Sequence, residues 1–129
     1  MKSSQLTIEE YAPFYQPYIA ALDNVDLMDE LEISVHRLVK FVQQIPMDKF
    51  DYRYAEGKWT IKDILQHLID AERVFSYRAL RFARLDKTPL AGFEENDYAL
   101  IANGSARTIQ ELLSELLTVR QSTLSLFKT

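Results

Sequence analysis

The chain has 129 residues, 47% of them hydrophobic and 26% charged, a balance that suits one soluble globular domain over 1–129 and excludes a disordered chain. Fifteen Lys and Arg against 19 Asp and Glu leave a net charge of −4, which disfavours a nucleic-acid-coating protein. The absence of cysteine excludes disulfides, Cys-zinc sites and thiol nucleophiles, and it fits a reducing cytoplasm.

No apolar run approaches the ~18 residues of a membrane span, so no membrane partner is expected. The only histidines are His36 and His67, so one copy of the chain cannot build a three-histidine metal site.

Residues 1–25 are the least regular. Thr7-Ile8-Glu9-Glu10 has the spacing of a capping box. Pro13 and Pro17 forbid one continuous helix, which leaves a turn near 8–12 and a short helix from about Phe14 to Leu22. Asp26 can cap the next helix. Leu27, Leu31, Val35, Leu38, Val42 and Ile45 then form a helical apolar stripe that Pro46 ends. Residues 46–59 read as a loop.

Thr60 caps a long helix that runs to about Asp86, with Asp63 in its first turn. Ile61, Leu65, Leu68, Glu72, Phe75, Ala79 and Phe82 fall on one predicted seam. Lys87 to Arg107 is a polar segment rich in loop formers (Pro89, Gly92, Asn96, Asn103, Gly104), and its ~20 residues are long for a structureless connector, which points to a function or to covering a pocket. Thr108-Ile109-Gln110-Glu111 is a second capping box. It opens a stripe of Ile109, Leu112, Leu113, Leu116, Leu117, Arg120, Leu124 and Phe127. No glycine C-cap follows, so the stripe reads as interrupted. The expectation is an all-α, up-down four-helix bundle, with three long helices and a short N-terminal one.

Several residues of the second long helix could carry chemistry. His67 shares a helix face with Ile64, Ala71, Val74 and Arg78. Its imidazole can either ligate a metal or serve as a hydrogen-bonded histidine at the edge of the core. Asp70 could share that face. Glu72 interrupts the seam where an apolar residue is expected. A carboxylate there either lines an interior pocket or pairs with an arginine or tyrosine of another helix. Arg73, Arg78, Arg81 and Arg84 give the helix a basic second half, suited to an anionic substrate or to a solvated, ion-paired face. His36 lies on a different helix and reads as a surface or packing residue.

The run from Gly57 through Trp59-Thr60, His67-Leu68-Ile69-Asp70-Ala71-Glu72-Arg73 resembles the DinB/YfiT-like superfamily. Members share a G-x-W-[ST] lead into a helix, followed by H-L-x-D-x-E-R. Tyr77-Arg78-Ala79-Leu80-Arg81 and Thr88 to Asn96 are similar as well, and the likeness covers about residues 26–127. The resemblance implies a dimeric four-helix bundle holding zinc or nickel on three histidines, and activity as a thiol-dependent transferase or a metal-dependent hydrolase. Its substrate would be a small molecule, with a low-molecular-weight thiol as co-substrate. His67 matches the first ligand, and Asp70, Glu72 and Arg78 would line the pocket. The other two histidines belong to a later helix with no counterpart in these 129 residues, so the C-terminal part of the bundle is expected to be missing and the chain inactive by itself. The alternative expectation is a non-catalytic bundle that self-associates or binds a partner.

Overall fold

The computed structural model describes residues 1–129 as helices and turns, with one isolated bridge between Lys2 and Asp26. The helices are α1 (Gln16–Ala20), α2 (Leu27–Gln43), α3 (Ile61–Ala83), α4 (Glu95–Ala102) and α5 (Ile109–Phe127). No helix is long and apolar enough to cross a membrane.

The predicted caps form. Asp26 accepts from the backbone of Met28 and Asp29 at the start of α2. Thr60 with Asp63, and Thr108 with Glu111, close reciprocal capping boxes at the starts of α3 and α5. Thr7 and Glu10 also bond to each other, but the prolines that follow confine them to a turn.

Two expectations are corrected. The 87–107 segment is not a plain connector, because it contains α4 and a 3-10 turn at Gly104–Ala106. Glu94 caps α4, and Asn103 ends it at φ 48°, in the left-handed region that asparagine tolerates. Helix-forming Tyr98, Ala99, Leu100 and Ile101 sit between the loop formers, whose density hid them. The third helix also stops before Asp86. Leu85 turns left-handed at φ 55°, and the amides of Leu85 and Asp86 donate to the carbonyls of Phe82 and Arg81. Those bonds satisfy the last carbonyls of α3 without a glycine.

The core lies where α5 packs against both α2 and α3. Val35 and Val42 from α2, Leu65 and Ile69 from α3, and Leu112, Leu113, Leu116 and Val119 from α5 are buried, with Phe50 closing one side. The predicted seam of α3 therefore divides between two faces. Leu65 belongs to the core, as does Ile69, which lies off that seam. Leu68, Phe75 and Phe82 are 37%, 50% and 68% exposed. Ile64, Leu68, Phe75 and Phe82 form an apolar stripe down a side of α3 that stays partly in solvent, its C-terminal half facing the N-terminal segment and the end of α5.

Candidate functional site

The start of α3 is tied to the 104–106 turn through Asp63. One carboxylate oxygen accepts from the Thr60 amide at 3.0 Å. The other accepts from the amide and hydroxyl of Ser105 at 3.1 and 3.2 Å. Arg53 lies 3.4 Å from the same carboxylate. Burial would raise this carboxyl, but the bonds from Thr60 and Ser105 outweigh it and hold Asp63 below the usual aspartate range. The turn reaches this close because Gly104 has no side chain. A Cβ there would stand 2.8 Å from the Lys62 carbonyl and 3.1 Å from the Asp63 Cα.

His67 lies one turn beyond Asp63 along α3. It is half-buried, and its ring centre is 5.0 Å from that of Trp59, tilted by 45°. It makes no side-chain hydrogen bond or ion pair within the chain. Trp59 precedes the Thr60 cap, so the cap that starts the helix also brings the indole back over the imidazole. His36 is exposed on α2 and does not join it.

The carboxylates near His67 in sequence are committed elsewhere. Asp70 accepts from the Gln66 amide at 3.1 Å and lies 3.9 Å from Arg73. Arg73 also pairs with Glu115 at 2.6 Å, and Arg107 reaches Glu115 as well. Burial would raise Glu115, but the two guanidinium groups keep its carboxyl below the ordinary glutamate value.

Glu72 points towards α5. Arg120 holds it with two parallel bonds, Nε to Oε1 at 2.8 Å and Nη2 to Oε2 at 2.9 Å. Thr123 donates to Oε1 at 2.8 Å, and Ser76 hydrogen-bonds Thr123 in turn. The remaining Arg120 nitrogen donates to the Leu31 carbonyl and the Ser34 hydroxyl of α2. One part-buried ion pair thereby joins all three long helices. Its signal in the sequence is that Arg120 interrupts the α5 stripe just as Glu72 interrupts that of α3. Ser34, Ser76 and Thr123 had no comparable signal, since hydroxyl residues are common on helix surfaces.

Arg78 is half-buried on α3, with its guanidinium carbon 5.5 Å from the Phe75 ring centre and 5.9 Å from that of Phe93. It donates to the Ala91 carbonyl at 3.2 Å, which fastens the 88–93 segment against α3. The four predicted site residues thus occupy three settings. His67 stands beside Trp59, Asp70 and Glu72 lie in separate ion-pair clusters, and Arg78 sits under the 88–93 segment.

A metal centre of the hydrolytic kind needs three protein ligands and an open position. No group of three or more His, Cys, Asp or Glu side chains in this chain is placed to hold an ion. His67 is an available imidazole without companions, and the residues present do not fit a complete metal centre.

The profile of the DinB superfamily matches residues 30–129. A protein of Bacillus cereus (strain G9842) named "Putative metal-dependent hydrolase" is 26% identical over 73 residues, which cover 56% of this chain and 42% of that protein. The aligned stretch thus spans about two-fifths of the curated relative. No solved structure matches the chain significantly.

Proposed function

The chain belongs to the DinB superfamily, and from that premise we propose that it contributes one imidazole, that of His67, to the metal site of a hydrolase or thiol-dependent transferase. The carrying observation is that His67 alone, among the predicted site residues, has neither a hydrogen-bond nor an ion-pair partner, while Asp70 and Glu72 are engaged. The name of the Bacillus cereus relative supports a metal in this family setting. A lone imidazole is a weak ligand for zinc or nickel, which both accept it, so residues 1–129 do not turn over a substrate unaided.

The test is metal analysis of the purified chain by mass spectrometry after dialysis against zinc and against nickel. Weak, substoichiometric uptake that His67→Ala abolishes is expected. Uptake that His67→Ala leaves unchanged refutes the assignment.

A second reading is carried by the open stripe of α3. Ile64, Leu68, Phe75 and Phe82 leave apolar surface in water at a helical spacing that a second helix could bury. The chain would then self-associate, as a homodimer in the simplest case. Light scattering across a dilution series checks this, with a concentration-dependent dimer expected. A folded monomer at every concentration overturns it.

A further inference from the structure

Six of the eight arginines, namely Arg37, Arg53, Arg73, Arg81, Arg107 and Arg120, pair with a carboxylate of this chain. Arg84 does not, but it is exposed and hydrated. Arg78 differs from both groups, since it is half-buried, aromatic-stacked and without an acidic partner. Only one of its five N–H donors is used, by the Ala91 carbonyl. A cation withdrawn from water without a counter-charge costs free energy that a bound anion would recover.

The space beside it suits such an anion. A hollow of about 720 Å³ opens between α3, the 90–92 segment, the N-terminal segment and the end of α5. Tyr11, Tyr15, Phe75, Phe82 and Phe127 supply its aromatic walls, and Arg78 its positive charge. Small-molecule sites commonly occupy ~300–1,000 Å³ and combine apolar walls with a few polar anchors. Glu10 is the one acidic side chain on the rim, and its carboxylate is turned onto the amide and hydroxyl of Thr7, at 2.7 and 3.2 Å. The ring contacts and the bond to the Ala91 carbonyl already restrain the side chain, which reduces the entropy left to lose on binding.

We propose that this hollow binds an amphiphilic monoanion, an aromatic or alkyl body carrying a carboxylate, sulfonate or phosphate diester, with Arg78 as the anion partner. The site stands apart from His67, eleven positions and three helical turns away along α3, and it does not depend on metal.

The experiment is a fluorescence titration of the full chain with 1-anilinonaphthalene-8-sulfonate and, in parallel, with its uncharged twin N-phenyl-1-naphthylamine. Arg78→Gln is expected to weaken the sulfonate about tenfold or more and to leave the neutral dye unchanged. Arg84→Gln, which removes an equal charge outside the hollow, and Leu68→Gln, on the open stripe, should alter neither. Equal loss of both dyes, or loss of neither, with Arg78→Gln overturns the proposal. Should that variant lose its helical circular dichroism, the unaltered chain decides through salt. Raising the ionic strength should weaken the sulfonate relative to the neutral dye. A constant ratio between the two dyes across the salt series refutes the role of Arg78.

Discussion

Helix α3 has two apolar faces that differ in what meets them. One carries Leu65, Ile69, Glu72 and Ser76 and is closed by α5, with Leu65 only 3% exposed and Ile69 fully buried. The other carries Ile64, Leu68, Phe75 and Phe82 and meets solvent. Both have helical periodicity and similar residues. The closed face also contains the polar group that fixes its register, the Glu72–Arg120 pair. The open face has His67 and Arg78 along its edge, neither with a carboxylate. Apolar spacing says that a surface can be buried, whereas a matched, part-buried charge on a second helix says by what.

The largest way to break this contrast is to unmatch the pair. Arg120→Met leaves the Glu72 carboxylate with only Thr123, and breaking a part-buried pair from one side costs about 2–4 kcal/mol. Urea denaturation of the variant should show that loss. The double variant Glu72→Met with Arg120→Met should recover most of it, because two apolar side chains can fill the gap. If the double variant is as unstable as the single one, the pair is not what closes this face.

Next comes the cap that anchors the closed face. Gly104→Ala forces a methyl group to within 2.8 Å of the Lys62 carbonyl and should cost about 1–3 kcal/mol by thermal melting. Asp63→Asn acts on the same junction, since an amide cannot accept from Thr60 and Ser105 on both of its ends. A loss of about 1–2 kcal/mol is expected at neutral pH. Asp63 and Glu115 both have lowered folded values. Their contributions are therefore complete above the unfolded carboxyl range of about 3.9–4.3 and vanish as pH falls through the lower folded values. Acid unfolding should begin below about pH 4, and Asp63→Asn should flatten the fall of stability in that window. A variant whose stability falls as steeply as that of the unaltered chain would rule Asp63 out as the group responsible.

The legibility of these features follows from range. The capping boxes at Thr60 and Thr108 lie within four residues, so the helix starts could be read directly. The α2 and α5 stripes needed only the helical period. The division of the α3 seam depends on where α5 lies, which no spacing within α3 encodes. Helix α4 was hidden because Asn96, Asn103 and Gly104 mark a loop by composition, while Ala99, whose side chain fits close to the bundle, decides the matter by burial. At the candidate site, His67 was legible through its motif. Asp70 is held by Gln66, four positions before it on the same helix, whereas the settings of Glu72 and Arg78 came from Arg120 and Phe93, whose contacts are tertiary.

The smallest effect sharpens the comparison most. Leu65 and Leu68 are the same residue three positions apart on one helix, 3% and 37% exposed. Leu65→Ala removes packed methyl groups from a closed core and should cost about 2–5 kcal/mol. Leu68→Ala should cost about 1–2 kcal/mol in dilute solution, since over a third of that residue is already in water. Concentration separates the two further. If the open face is covered by a second copy, the Leu68→Ala loss should grow with protein concentration, because the dimer stabilises the folded state by mass action. The Leu65→Ala loss should keep its size. A Leu68→Ala loss as large as that of Leu65→Ala at every concentration would mean that the second face of α3 is sealed within a single molecule.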